Sequence, residues 1–176
     1  VFIILILIGK ILNISKKLLI LISMGTAICG VTAVMAASAV TKSDKNETGY
    51  AVGVVTIFGL FTLLCYPYLA NFLFKDNNIQ VGIFLGTSIH DTTQVSAAAL
   101  IHQETYNASE TLNSSMTIKL IRNSFLIIMI PILALCFNNS KSENIQNTLK
   151  NFFPLFVVGF VALSIIRTIG DFYFME

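Results

Sequence analysis

The amino-acid sequence predicts an all-α protein, a polytopic transmembrane helical bundle, and three observations carry that expectation. Hydrophobic residues make up 55% of the 176 and charged residues only 11%, with a mean hydropathy of +0.80, whereas a soluble domain averages about 25% charged residues. The apolar residues are gathered into runs, several of them long enough to cross about 30 Å of hydrocarbon. One of those runs holds an imidazole, a carboxylate and an amide at its centre, Ile89-His90-Asp91-Thr92-Thr93-Gln94. The composition excludes a water-soluble enzyme. The 11 basic and 9 acidic residues are spread thinly, with no basic block to track a phosphate backbone, so nucleic acid is excluded as a partner. Cys29, Cys65 and Cys136 each lie in apolar sequence without a CxxC or Cys/His cluster. They read as packing residues, and neither a disulfide framework, a metal site nor a cofactor is expected.

Taken in order, the first helix occupies the apolar run from Val1 to about Leu12, and Lys10, Lys16 and Lys17 mark a basic turn. Leu18 to about Val40 is long enough to span and is built of small residues from Gly25 onward. Thr41 to Gly49 is a polar connection, and Tyr50 to Phe74 is the oiliest span, with Tyr66, Pro67 and Tyr68 suited to the interfacial aromatic belt or a kink. Val81 to Ile101 spans by length but not by chemistry. His102 to Thr117 reads as a surface helix or loop, with His102 interfacial. Ile118 to Phe137 spans again, opened by Lys119 and Arg122 as interfacial anchors, and Phe152 to about Ile169 is the last apolar helix, where Arg167 and Asp171 are spaced to pair. The chain begins inside one apolar run and stops just past another, so the expectation is one membrane-spanning domain over residues 1–176, incomplete at both ends. Counting alternate connections sets Lys10, Lys16, Lys17, Lys75, Lys141 and Lys150 against Lys42, Lys45, Lys119 and Arg122. The first group is then cytoplasmic, a count that a re-entrant segment at Val81 to Ile101 would overturn.

The chemistry concentrates in Gly86 to Ala99. An aspartate at mid-bilayer costs about 2.5 to 3.5 kcal/mol on the insertion scale, and an intramembrane ionisable residue is a functional candidate by default. On one continuous helix, Thr87, His90, Asp91 and Gln94 follow the i, i+3, i+4, i+7 pattern and share a face. The same residues admit a second reading. Ser88-x-x-Asp91 fits a capping box and Gly86 precedes it, so a helix would begin near residue 88, inside the membrane, where broken helices line cavities and aim their positive ends at anionic groups. The partner segment is Gly25 to Ala39, in which Thr26, Gly30, Ala33 and Ala37 recur at three- and four-residue steps and admit close helix approach. No phosphate-cradling glycine loop, GxSxG elbow, HExxH or pair of catalytic carboxylates is present.

Several short stretches together resemble the UPF0324 family of bacterial inner-membrane proteins, also called a sulfate exporter family. They are Ile28-Cys29-Gly30-Val31-Thr32-Ala33, Phe58-Gly59 followed by Tyr66-Pro67, Gly86 to Val95, Lys119 with Arg122, and Pro154 to Phe160. The family usually has glutamate where this chain has Asp91 and serine where it has Thr32, and its proline after Arg122 stands earlier than Pro131. The resemblance implies a helical protein about twice this length with inverted repeats, as in the bile-acid and arsenite transporter group, located in the cell inner membrane.

The function expected on these grounds is secondary export of a small anion, sulfate or an organic sulfonate, and not an enzymatic reaction. The expected site comprises Thr87, Ser88, His90, Asp91, Gln94, Cys29, Gly30 and Thr32. Hydroxyls and backbone amides would bind the anion, His90 would couple binding to protons, and Asp91 with Gln94 would orient the imidazole or cap the helix. One rival is a non-transporting module, a receptor or assembly subunit whose polar residues lock helices together. Another is an intramembrane enzyme using His90 and Asp91 as base and orienter.

Overall fold

The computed structural model describes residues 2–75, 77–137, 166 and 170, and the described residues are all-helical. Two compact units divide the chain, Val1–Phe137 and Asn138–Glu176. In the second, the described residues are Ile166 and Gly170, both helical. The predicted span at Phe152 to Ile169 and the Arg167/Asp171 pair lie outside the described residues.

The first unit contains α1 (Phe2–Ile11), α2 (Lys16–Met24), α3 (Val31–Thr41), α4 (Lys45–Phe74), α5 (Asn78–Ser88), α6 (Thr92–Tyr106), α7 (Thr111–Ser124) and α8 (Leu126–Phe137). Among the described residues two helical lengths are long and apolar enough to cross a membrane, α4 and the α7–α8 stretch Thr111–Phe137. At 1.5 Å per residue α4 alone reaches about 45 Å. Asp44 starts it by accepting the Glu47 amide at 2.7 Å, a cap worth about 1 kcal/mol. Pro67 lies buried within it and does not end it. Its Ile57, Phe58, Phe61, Leu64 and Phe72 stand exposed, as expected of a helix solvated by lipid.

The sequence expectation of two further crossings, at Leu18–Val40 and Val81–Ile101, is not met. Each forms a helical hairpin that returns to the end of the molecule from which it set out. In the first, α2 passes through one wide π-type turn, Gly25–Cys29, reverses at Gly30 and runs back as α3. Its two ends meet: Lys17 Nζ donates to the Lys42 carbonyl at 2.7 Å, and Ser15 Oγ to Glu47 Oε1 at 2.6 Å. In the second, α5 ends at Ser88 and α6 begins at Thr92. The base of this hairpin closes around His102, whose Nδ1 lies 3.1 Å from Thr111 Oγ1 and Nε2 3.4 Å from Asn71 Oδ1, while Thr111 Oγ1 donates to the Asn78 carbonyl at 3.5 Å. Residues 78 and 102 would be about 36 Å apart on one straight helix. A hydropathy window sees only some twenty apolar residues, so a reversal at the centre is invisible to it.

Both hairpins bury apolar side chains, Leu21, Met24, Ala33 and Val34 in the first and a cluster in the second. Val81, Leu85, Ile89, Val95, Ala98 and Ala99 pack with Ala70 of α4, Tyr66 and Phe84 meet at 5.4 Å between ring centroids, and α7 lies along α5. The stretch predicted as surface structure is exposed at Glu104 to Asn107, Glu110, Asn113 and Thr117, but His102, Thr111 and Ser115 within it are turned inward and fully buried. His102 is an interior residue at the base of the second hairpin. Its imidazole joins α4, α6 and α7, and burial of three polar groups is tolerable because each has a partner.

Candidate functional site

The two hairpin tips meet. At the first, Gly30 has φ 65° and ψ −130°, a conformation that glycine alone adopts without strain. A methyl group on Gly30 would stand 3.1 Å from Asp91 Cα and 3.0 Å from its Oδ2, so one backbone lies directly on the other. Thr26, Gly30, Ala33 and Ala37 were expected to allow close approach, and Gly30 does so through this reversal rather than as part of a helix face.

At the second tip the chain is extended at Ile89 and Asp91. The single polar stripe predicted for a continuous helix therefore does not form. The capping-box reading placed a helix start near residue 88; the break is there, but Ser88 closes α5 and Asp91 is the residue that caps α6. Its Oδ1 accepts the Thr93 amide at 2.9 Å and the Thr93 hydroxyl at 2.7 Å. A carboxylate at a helix N-terminus meets both free amides and the positive end of the helix dipole, so Asp91 outcompetes Ser88 for the cap.

The remaining predicted site residues divide. Cys29, Gly30 and Gln94 are buried, while Ser88 and His90 are half-buried at the tips. His90 Nδ1 and Gln94 Oε1 are buried without a hydrogen-bond partner, although Gln94 Nε2 reaches the Thr56 carbonyl on α4 at 3.4 Å. Thr87 and Thr32 are exposed. The Thr87 hydroxyl donates back to Ile83 and Phe84 carbonyls of its own helix at 2.8 and 3.1 Å, so its side chain is turned from the tips.

Two residues of the site were misplaced by sequence reasoning. Lys119 and Arg122 are not interfacial anchors. Because α7 begins at Thr111, Lys119 stands two turns inside the helix and is fully buried. Its ammonium donates to the carbonyls of Ile28 at 3.2 Å, Ile89 at 3.1 Å, and His90. Arg122 donates through Nη2 to Thr26 and Ala27, both at 3.1 Å, and through Nη1 to Gly86, Thr87 and Ile89 at 3.1, 2.7 and 3.2 Å. Asn123 adds a bond from Nδ2 to Thr92 Oγ1 at 3.2 Å. The acceptors are the last carbonyls of α2 with its π-type turn and of α5, groups that a helix end leaves unsatisfied. A buried basic residue costs about 3 kcal/mol on the insertion scale. Charge-assisted hydrogen bonds of about 1.5 to 3 kcal/mol each, together with the negative ends of two helices, outweigh that cost. A signal for this existed in the spacing Thr111, Ser115, Lys119, Arg122, a polar row at helical period on α7.

A membrane protein, all-helical in the described residues, with two hairpins whose tips meet at the buried Lys119 and the half-buried Arg122, is the class that fold and site define. The chain belongs to the family described as Conserved hypothetical protein 698, which matches residues 1–173. Curated relatives carry the name UPF0324 membrane protein. That of Fusobacterium nucleatum is 33% identical over 169 residues, covering 96% of this chain and 48% of the relative. The Helicobacter hepaticus protein is 29% identical over 183 residues, 98% and 52% of the two chains, and the Campylobacter jejuni protein 32% identical over 174 residues, 96% and 47%. The chain thus spans about half the length of the curated relatives it matches. No solved structure matches it.

Proposed function

We propose that this chain forms part of an alternating-access secondary transporter of the cell inner membrane, multi-pass, which exports a small anion and is not an enzyme. The observation that carries the reading is the pair of opposed tips with Lys119 buried and Arg122 half-buried between them. The N-terminal ends of α3 and α6 and the C-terminal ends of α2 and α5 all lie at the tips. Each end contributes about half a charge, positive or negative, so the four nearly cancel. What remains is Lys119 and Arg122 against Asp91, about one net positive charge with His90 neutral. Helix ends broken at mid-depth are how transporters hold charged solutes. Sulfate or an organic sulfonate are the candidates that the family resemblance supplies, bound by Ser88, His90 and the amides that open α3, whose start has no side-chain cap. Cys29, Thr32 and Gln94 border that site in this reading, and protons taken up by His90 couple to the solute.

Inverted symmetry belongs to the same reading, in a form different from the sequence expectation of a mate elsewhere. Set against Gly86 to Ile101 without a gap, Gly25 to Val40 is identical at Gly25/Gly86, Thr26/Thr87, Ile28/Ile89, Thr32/Thr93, Val34/Val95, Ala36/Ala97 and Ala37/Ala98. Both stretches contain a hairpin tip, both are followed by a long helical crossing, and the hairpins enter from opposite ends of the unit. Orientation changes accordingly. With both hairpins re-entrant, Lys10, Lys16, Lys17, Lys42 and Lys45 fall at one end and Lys75 at the other, while Lys119 and Arg122 leave the count. The base of the first hairpin is then cytoplasmic.

The test is flux of radiolabelled sulfate and of a small sulfonate into proteoliposomes holding the full-length protein. Wild type is expected to transport with a pH dependence that His90→Ala abolishes. No flux of either solute by wild type sinks the anion reading, and unchanged pH dependence in His90→Ala removes His90 from the coupling.

A further inference from the structure

Lys119 and Arg122 do more than neutralise helix ends, because each of them touches both hairpins. Lys119 joins Ile28 of the first tip to Ile89 and His90 of the second. Arg122 joins Thr26 and Ala27 of the first to Gly86, Thr87 and Ile89 of the second, one guanidinium nitrogen serving each hairpin. Every one of these acceptors is a main-chain carbonyl, so the two cations read the path of the backbone and not its side chains. Consider the tips without them. The last carbonyls of α2 with its π-type turn and of α5 would lose these donors and stand unsatisfied in the interior, where each lost partner is costly. The direct contact that remains is Gly30 against Asp91.

We infer that Lys119 and Arg122 are positioning residues that clamp the two hairpin tips into one unit, so that a solute arriving there meets both hairpins at once and neither tip opens alone. Under this arrangement access changes by movement around the joined tips rather than by lifting of a single hairpin. The clamp concerns the tips of the proposed anion site but does not depend on the identity of any solute.

Cys29 is a native reporter, lying beside Ile28 at the first tip with 5% of its surface exposed. In the full-length protein with its other cysteines changed to serine, the rate of Cys29 labelling by N-ethylmaleimide reads the opening of the tips. Ala99→Cys in the same background, with Cys29 also replaced, is the control. Ala99 is fully buried in the core of the second hairpin, so a thiol there reports loss of the fold. Lys119→Met and Arg122→Met are each expected to raise Cys29 labelling about tenfold or more, the effect of removing charge-assisted bonds from a local opening equilibrium. Labelling of Ala99→Cys stays slow in both. Arg122→Lys keeps a cation on the same carbonyls and restores most of the protection. Cys29 remaining protected in both methionine variants overturns the clamp. So does equal exposure of Cys29 and Ala99→Cys, because the cations then hold the whole fold and not the tips. The labelling needs no solute, so its failure leaves the anion reading standing, and absent sulfate flux leaves the clamp standing.

Discussion

The two hairpins share a plan and differ at their tips, and the difference shows how one device is divided into two tasks. At the first tip the reversal is made by Gly30 with no side-chain cap, so it presents bare backbone. At the corresponding place in the second stands Asp91, which caps α6 through its side chain, with His90 beside it where the first has Cys29. One tip supplies main-chain groups and close approach; the other supplies ionisable groups. Their bases differ as well, the first tied by exposed contacts of Ser15 and Lys17, the second by the buried His102.

The sharpest way to break this comparison is to give the first tip a branched side chain. Gly30→Val combines a positive φ with a clash against Asp91, and a loss of about 3 kcal/mol or more is expected from strain and overpacking together. Thermal unfolding in detergent checks it; a variant as stable as wild type would mean that the reversal is not fixed by glycine. Next comes a matched pair at equivalent positions before the tips. A methyl group on Gly86 would meet the Ser115 carbonyl at 2.5 Å, main chain that cannot swing aside, whereas on Gly25 it meets a Val34 methyl at 2.7 Å. Gly86→Ala should therefore cost about 2 kcal/mol and Gly25→Ala about 1 kcal/mol, compared by denaturant midpoints in one detergent. The reverse order would show that α7 yields more easily than α3.

Smaller effects sharpen the roles. Asp91→Ala should lose about 1 kcal/mol of cap, and Asp91→Asn only a few tenths, since asparagine caps as well. A tighter anion affinity in Asp91→Asn, measured by isothermal titration, then reports the lost negative charge and not folding. Smallest is Glu47→Gln at the base of the first hairpin. Its bond from Ser15 is exposed, and a melting shift worth less than about 0.5 kcal/mol is expected.

Much of this was legible in advance. Low charge and long apolar runs announced helices in a membrane, and the cluster from Gly86 to Gln94 announced an interruption near residue 88. Asp91 was expected to orient the imidazole or cap the helix, and it caps; Ser88 was the wrong choice for the cap because both are good N-cap types and only the path of the chain decides between them. Lys119 and Arg122 were misread for a related reason. A basic residue at the mouth of an apolar run looks the same whether the helix starts there or two turns earlier, and here Thr111 and Ser115 are polar residues turned inward. The internal likeness of Gly25–Val40 to Gly86–Ile101 was present in the letters, but it gains meaning once both are seen to be hairpin tips.

Composition and local pattern alone determined that this chain forms helices in a lipid-like solvent, where backbone groups must be satisfied within the segment, and where its polar residues would gather. Tertiary structure alone decided whether an apolar run crosses or turns back. It also decided which side chain caps a helix and which carbonyls receive Lys119 and Arg122. Those outcomes depend on contacts between residues as far apart as Thr26 and Arg122, and the free energy of such a contact belongs to the pair, not to either neighbourhood in the sequence.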